Sequence, residues 1–269
     1  SCLAKRATLW TEWILDELLF PARHHQWVFT LPKRIRLFFL YDRSLLGDLA
    51  RCAFRTVQQL SRRRAGELGL DADGFRVGMA VSIHTYGDRV GWQPHLHALV
   101  TAGLVDAQGA ITPLGPPDSL AAEALFQREL LRLPERRGKL EREQVEGMLA
   151  WPRSGFSVHN TVHADPQAPE EMARLCRYLL HPPISLERLE YRGAGKPCTY
   201  TGRRPDPRTG AVSEDCDPLE CLARLCQHIP PPRTLLTRLY GADSPRHRVA
   251  RRDASTGPVT VATAPGDPP

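Results

Sequence analysis

Two histidines separated by one residue, His95 and His97, give the clearest chemical signal in the sequence. They lie in the run His95–Thr101, whose alternating apolar residues predict a β-strand. Residues two apart on a strand point to the same face about 6 to 7 Å apart, so both imidazoles could bind one divalent metal ion. With ten histidines in 269 residues such a pair also arises by chance, and two packed structural histidines are the alternative.

A third histidine and a tyrosine could complete the site. The run Arg76–His84 alternates between apolar and small residues, which predicts a second strand paired with the first in an antiparallel hairpin. His84 lies on the side of the small residues, where it could be a third ligand if the strand register places it there. Tyr178 lies at the edge of the apolar stripe of a predicted helix, and a tyrosine beside a divalent metal ion can attack a phosphate. Packing is the alternative role of Tyr178.

The elements that position these residues predict an α+β fold, with a mainly antiparallel sheet flanked by helices. A helix at Leu3–Leu19, a strand at Gln26–Leu31 and a long helix at Arg43–Glu67 precede the hairpin. The other predicted helices are Asp118–Leu133, Pro169–Leu180, Pro218–His228 and Thr234–Tyr240, and the other predicted strands are Gly155–His163 and Cys198–Thr201. The charged stretch Pro134–Gln144 is predicted to be solvated, and the chain beyond Asp253 to be disordered.

Composition limits the class of protein. The chain has 36 Lys and Arg against 30 Asp and Glu, a net charge of +6 that fits an anionic partner without requiring one. No apolar run approaches the ~18 residues needed to cross a bilayer, and no signal peptide begins the chain, which argues against a membrane or exported protein. The seven cysteines form no Cys-x-x-Cys pair, which favours a reducing, cytoplasmic setting over a disulfide framework.

Six short motifs occur in an order that resembles the rolling-circle transposases of the insertion-sequence-91 type, which are HUH single-strand DNA endonucleases. These motifs are Gln26–Arg34, His84–Asp88, Pro94–Val100, Ser154–His159, Arg177–Ile184 and His228–Pro230. The resemblance runs from Ser1 to about Arg252. Plasmid replication initiators and conjugative relaxases share the histidine pair and the tyrosine, but are not expected to share the segments at residues 26–32 and 178–183.

The resemblance implies a bacterial nickase and strand transferase that acts on single-stranded DNA at transposon ends and targets. Tyr178 would attack the scissile phosphodiester and form a 5′-phosphotyrosine link. His95 and His97, with His84 as the third ligand, would bind Mg²⁺ or Mn²⁺ to polarise the phosphate. Such a protein would be cytoplasmic, and associated with the nucleoid when bound to DNA.

Further residues are predicted to contact DNA or to lie near the site. Basic residues would neutralise phosphates, with a solvated surface charge as the alternative for each: Arg177, Lys196, Arg203, Arg204, Arg246, Arg248, Arg251 and Arg252. Trp92 could stack on an unpaired base or pack on its own sheet. His159 and Asn160 could lie near the site, with a structural role as the alternative for His159.

Three features depart from the family pattern. Ser1–Arg6 resembles the last step of an N-terminal zinc module, so Cys2 is predicted to be an orphaned Zn²⁺ ligand of a module missing upstream. Arg174 occupies the position where many relatives carry a second tyrosine, and the C-terminal motif is altered at Leu239–Val249. Arg174 makes this a single-tyrosine variant, which can suffice if strands are exchanged one after the other. The missing zinc module and the altered C-terminal motif motivate a second hypothesis, a decayed relic that binds DNA without cutting it. An unrelated metal phosphodiesterase is a third.

The predicted organisation has three parts. Residues 1–25 form a helix after the truncated zinc module, 26–240 form the catalytic domain, and 241–269 form a basic and then disordered tail.

Overall fold

A computed structural model describes residues 9–71, 73–151, 154–207 and 209–247. The predictions for Cys2, Arg248, Arg251, Arg252 and the tail beyond Asp253 lie outside these residues. The helices are α1 (residues 9–18, of which Ile14–Leu18 is π-helical), α2 (Lys33–Tyr41), α3 (Leu45–Glu67), α4 (Ser119–Arg136), α5 (Arg142–Leu149), α6 (Pro169–Leu179) and α7 (Pro218–Cys226). The strands are β1 (His24–Thr30), β2 (Gly78–Tyr86), β3 (Trp92–Thr101), β4 (Gly103–Val105), β5 (Ile111–Pro113), β6 (Ser157–His159), β7 (His163–Ala164), β8 (Leu189–Tyr191), β9 (Cys198–Thr201), β10 (Ser213–Cys216) and β11 (Thr237–Gly241).

The central sheet has the strand order β11-β2-β3-β1-β6, and β7 also pairs with β1. Every pairing in it is antiparallel. Two small sheets accompany it, the hairpin β4-β5 and the three-stranded sheet β10-β9-β8. The predicted α+β fold, with a mainly antiparallel sheet flanked by helices, is confirmed.

The hairpin of β2 and β3 fixes which side chains share a face. His84 is paired with His95, and Ser82 with His97, before an irregularity between His84 and Tyr86. Directly opposed residues of an antiparallel pair point to the same side of the sheet. The register therefore places His84, His95 and His97 on one face, which we call the histidine face.

Helix α6 covers part of the histidine face. Its apolar residues recur at helical spacing, and four of them are buried: Met172, Leu175, Cys176 and Leu179. They pack against Ala80 of β2 and Leu99 of β3. Pro169 begins the helix, where its missing N–H costs no hydrogen bond. The predicted apolar stripe thus holds α6, and the tyrosine it carries, against the sheet.

The opposite face of the sheet carries the main core. Phe29 of β1 packs on Phe126 of α4 with ring centroids 4.9 Å apart, and both side chains are fully buried. Helices α2 and α3 contribute Ile35, Leu49 and other buried residues to the same cluster. This core makes the sheet a rigid support for the histidine face.

The structure corrects several predicted elements. The helix predicted at Thr234–Tyr240 is wrong, because residues 237–241 form β11 on the free edge of β2. The stretch at Pro134–Gln144 is largely exposed, as predicted, and its two ends are helical, because α4 continues to Arg136 and α5 begins at Arg142. The single strand predicted at Gly155–His163 is two short strands. Helix α2 was not predicted, although Ile35 and Phe39 are buried at helical spacing.

Burial of His24 predicts a loss of stability in mild acid. The side chain is 0% exposed, Nδ1 lies 2.9 Å from the Ala22 carbonyl oxygen, and desolvation lowers its pKa to about 4. In the unfolded chain a histidine has a pKa of ~6.5, so it binds a proton more readily than His24 does in the folded chain. The stability that neutral His24 contributes is therefore complete above pH ~6.5 and is lost as the pH falls towards 4. It amounts to about 3 kcal/mol.

The measurement is the free energy of unfolding by denaturant between pH 4 and 7. We expect His24→Leu to reduce its slope with pH by up to ~1.4 kcal/mol per pH unit. The matched control is His159→Gln, because His159 is exposed. Equal slopes for His24→Leu and wild type would contradict this account.

Candidate functional site

The three predicted histidines form one cluster on the histidine face. One ring nitrogen from each of His84, His95 and His97 lies within 4.8 Å of the others. The ring centroids are 4.5 Å apart for His84 and His97, and 4.9 Å apart for His95 and His97. Among the described residues, this is the group of histidine, cysteine and acidic side chains with the spacing of a metal site.

The cluster is electrically neutral near pH 7. Desolvation by burial lowers the pKa of His84 to about 3 and that of His97 to about 2, and it lowers the pKa of His95 as well. Imidazole binds a metal ion in its neutral form. Burial thus keeps these imidazoles in the neutral form that binds a metal ion.

Hydrogen bonds orient two of the three rings. His95 Nδ1 lies 2.8 Å from the Gln93 carbonyl oxygen, so Nδ1 carries the proton and Nε2 keeps its lone pair. This is the usual arrangement of a metal-binding histidine. His84 Nε2 lies 2.9 Å from the Leu179 carbonyl oxygen at the end of α6, so it likewise donates to the backbone.

The remaining ring nitrogens fit a metal ion. His97 Nδ1 is buried and has no hydrogen-bond partner in the described part of the chain, and an unpaired buried polar atom is costly. His84 Nδ1 lies 3.2 Å from the Tyr86 hydroxyl. That hydroxyl has one proton, which it donates to the His181 carbonyl oxygen, so the lone pair of His84 Nδ1 stays open to a ligand.

Tyr178 lies beside this cluster on the last turn of α6. Its ring meets the ring of His97 edge to face, with centroids 4.8 Å apart. Tyr178 is 44% exposed, whereas the neighbouring Leu179 is 1% exposed. The structure therefore brings the predicted nucleophile to the predicted metal site and leaves it open to a substrate.

Two further residues, Tyr86 and His181, lie at the same site and were not predicted as site residues. The ring centroids of Tyr86 and His84 are 5.1 Å apart, and burial raises the pKa of Tyr86, so its hydroxyl keeps its proton. Together with His84, Tyr86 ties β2 to the segment that follows Tyr178. The signal for Tyr86 was its position two residues after His84, which continues the period of the strand.

Five of the basic residues predicted to contact DNA lie in the described part of the chain, and all five side chains are exposed: Arg177, Lys196, Arg203, Arg204 and Arg246. The guanidinium of Arg203 contacts His181 Nε2, so it lies at the edge of the site. Asp88 fixes this segment by accepting from the backbone N–H groups of Arg203 and Arg204, at 2.7 and 3.2 Å. Arg177 precedes Tyr178 on α6.

The Trp92 ring makes packing contacts, which were the alternative for it, and its stacking on a base stays a prediction. Its Nε1 donates to the Arg36 carbonyl oxygen at 2.9 Å. Its ring stacks on His228 at a centroid distance of 6.0 Å, and the guanidinium of Arg43 lies 4.3 Å from the ring centroid. These contacts tie the ring to the fold.

His159 and Asn160 point to different faces of the sheet. His159 pairs with Val28, which pairs in turn with His97, so His159 is an exposed member of the histidine face two strands away. Asn160 is 1% exposed and bonds to Ser119 at the start of α4. Its side chain therefore faces the main core, away from the histidine cluster.

Comparison with known proteins shows the family. A family model described as "Putative transposase" matches residues 78–251, more than half of the chain. The chain belongs to this transposase family. A curated relative, the transposase for insertion sequence element IS801 of Pseudomonas savastanoi pv. phaseolicola, is 31% identical over 232 residues, which cover 80% of this chain and 52% of the relative. The predicted resemblance to insertion-sequence-91-type transposases is confirmed.

The match has two limits. This transposase chain spans about half the length of the curated relative that it matches. No solved structure matches it.

In the described part of the chain, the helices are too short or too polar to cross a membrane.

Proposed function

We propose that this member of the transposase family is a metal-dependent tyrosine nickase and strand transferase that acts on single-stranded DNA. The observation that carries the proposal is the contact of the exposed Tyr178 ring with His97, at 4.8 Å, inside the cluster of three neutral histidines. An accessible hydroxyl beside a metal-ligand set is what phosphodiester transesterification requires.

His95, His97 and His84 would hold Mn²⁺ or Mg²⁺, and the bound ion would polarise the phosphate and stabilise the charge that develops on it. A tyrosine hydroxyl normally has a pKa near ~10, so it must lose its proton as it attacks. The oxygen of Tyr178 forms a bond to phosphorus while the bond from phosphorus to the 3′-oxygen breaks. The proton passes through solvent to that leaving oxygen.

The products are a 5′-phosphotyrosine link and a free 3′-hydroxyl. One P–O bond is made for each one broken, so the reverse attack by another 3′-hydroxyl joins strands without ATP. Arg177 precedes Tyr178 on α6 and Arg203 contacts His181 Nε2, and these two residues would bind phosphates next to the cleaved one. We assign this activity to residues 26–240, acting on transposon ends in the bacterial cytoplasm.

The direct experiment is covalent capture. The purified chain is incubated with Mn²⁺ and a labelled single-stranded oligonucleotide that carries the end of the host element, and the products are separated in SDS. We expect a labelled band that resists denaturation. DNA binding without this band would contradict the proposal and favour a decayed relic, and cleavage without it would favour a metal phosphodiesterase.

Tyr86 is expected to position the site without reacting. Tyr86→Phe keeps the ring that stacks on His84 and removes the hydroxyl that donates to the His181 carbonyl oxygen, so we expect adduct formation to slow by ~10-fold with little change in DNA affinity. The free energy of unfolding should fall by about 1 kcal/mol. Rates are compared at saturating DNA.

The matched control for this variant is Tyr41→Phe, because Tyr41 is 83% exposed. It should leave both the rate and the stability unchanged. A Tyr86→Phe protein with the wild-type rate would show that the hydroxyl has no positioning role.

A further inference from the structure

The turn between β2 and β3, residues 87–91, is bound to the loop that follows β9. Asp88 Oδ2 accepts from the backbone N–H groups of Arg203 and Arg204, at 2.7 and 3.2 Å. The other carboxylate oxygen, Oδ1, lies 3.2 Å from a guanidinium nitrogen of Arg188. One acidic side chain on the turn therefore fixes the backbone of the loop at the point where two arginines begin.

The turn and the loop also approach each other unusually closely. The guanidinium of Arg89 donates to the carbonyl oxygens of Arg204 and Ala211, at 2.9 and 2.6 Å. A Cβ atom at Gly202 would lie 2.8 Å from Asp88 Oδ2, which is closer than Cβ atoms come to other atoms. The loop can reach the turn in this way because residue 202 is glycine.

The turn has a backbone conformation that its own sequence disfavours. Val90 has a φ of 59°, in the left-handed region, which is costly for a β-branched residue. His228 Nε2 donates to the Val90 carbonyl oxygen at 2.8 Å and helps to hold this conformation. Such strain persists where surrounding contacts hold it, and it concentrates at functional sites. The strain thus indicates that the position of the turn, and of the loop bound to it, serves the function.

The loop brings a positive charge to the edge of the site. The guanidinium of Arg203 contacts Nε2 of His181, three residues after Tyr178. No carboxylate in the described part of the chain lies within ion-pair distance of this guanidinium, whereas Arg188 pairs with Asp88. A guanidinium has five N–H donors, so the contact with His181 leaves others for a phosphate.

We infer that Asp88 is a positioning residue, which holds the Arg203 guanidinium where it binds a phosphate of the DNA strand beside Tyr178. The inference rests on the proposed function for the identity of the strand. Because Asp88 is negative and repels a phosphate, it favours DNA binding only through the residues that it holds. Removal of this charge should therefore weaken DNA binding, whereas loss of an acidic residue otherwise strengthens it.

The first test measures affinity for a single-stranded oligonucleotide, without metal, at increasing salt concentration. Arg203→Gln should reduce the slope of log K against log[salt] by about 0.7, the value for one phosphate contact with a single strand. We expect Asp88→Ala to weaken binding about 5-fold, to reduce the slope equally, and to have no further effect in the Arg203→Gln protein. The control is Glu187→Ala, which removes the same charge from an exposed position before β8 and should bind at least as tightly as wild type.

Two further variants distinguish positioning from a general loss of structure. Asp88→Asn keeps an oxygen that accepts from the N–H of Arg203, so it should retain most of the affinity that Asp88→Ala loses. Gly202→Ala changes no charge but places a methyl group against Asp88, so it should weaken binding as Asp88→Ala does, and it decides the question if Asp88→Ala does not fold. Wild-type affinity in Asp88→Ala or Gly202→Ala, or effects of Asp88→Ala and Arg203→Gln that add fully, would overturn the inference.

Covalent capture on the same proteins separates this inference from the proposed function. A Tyr178 adduct in a protein whose DNA affinity does not depend on Asp88 would overturn only the positioning role. DNA binding that depends jointly on Asp88 and Arg203, in a chain that forms no adduct, would support that role and contradict only the nickase proposal. A chain that neither binds the oligonucleotide nor forms the adduct would contradict both.

Discussion

Tyr178→Phe should lose the covalent protein–DNA adduct completely, with a fall in strand cleavage of at least ~10³-fold, because removal of a nucleophile leaves no second group to take its place. The substitution removes one oxygen atom and keeps the ring that packs on His97. We therefore expect DNA affinity and the free energy of unfolding to stay within a factor of two and ~0.5 kcal/mol of wild type. The measurement is the labelled band that resists SDS.

The matched control is Tyr191→Phe, which removes a hydroxyl from another exposed tyrosine, 58% exposed on β8. It should form the adduct at the wild-type rate. An adduct in Tyr178→Phe would assign the attack to a different residue and contradict the mechanism.

His97→Ala should abolish the metal dependence of the reaction. The variant removes the ring that touches Tyr178 and contributes to the cluster with His84 and His95. Loss of groups that only support a metal ligand commonly costs ~10 to 100-fold in affinity, so loss of a ligand should weaken Mn²⁺ binding by more than ~100-fold. Mn²⁺ binding is followed by electron paramagnetic resonance, without DNA, and adduct formation is followed separately.

His163→Ala is the control for this prediction, because His163 is an exposed histidine on β7 of the same sheet. It should bind Mn²⁺ as wild type does. Wild-type Mn²⁺ affinity in His97→Ala would show that the histidine cluster is not the metal site.

The parts of the fold that local patterns dictate were predictable from the sequence. Strict alternation in β2 and β3 gave the hairpin, and the spacing of Met172, Leu175 and Leu179 gave α6. The segment that forms β11 has leucines at 235, 236 and 239, a spacing that also fits a helix. Its strand conformation depends on the unpaired edge of β2, which lies more than 150 residues earlier in the chain, so local spacing could not reveal it.

A local signal for α5 was present. Glu141 and Gln144 form a capping box at its start, in which each side chain bonds to the backbone of the other. The high charge of this stretch indicated solvent exposure and obscured the helix, because only Val145 and Met148 of α5 are buried.

In the site, too, local patterns predicted some features, whereas others depend on contacts between distant parts of the chain. The strand period placed His95 and His97 on one face, and the helix period placed Tyr178 at the edge of its stripe. The contact between Tyr178 and His97 depends on how α6 lies across the sheet, which Leu175 and Leu179 determine through their packing on Ala80 and Leu99. Tyr86 could not be predicted as a site residue from local spacing, because its role depends on its contact with the His181 carbonyl oxygen just after α6.

The most direct test of the account is to identify the amino acid that carries the DNA. The adduct formed with Mn²⁺ is digested with nuclease and trypsin, and the peptides are sequenced by mass spectrometry. Trypsin cuts after Arg177 and Arg188, so we predict a residual nucleotide on Tyr178 in the peptide 178–188, attached through a 5′-phosphate. A nucleotide on any other residue, or attachment through a 3′-phosphate, would contradict the proposed mechanism.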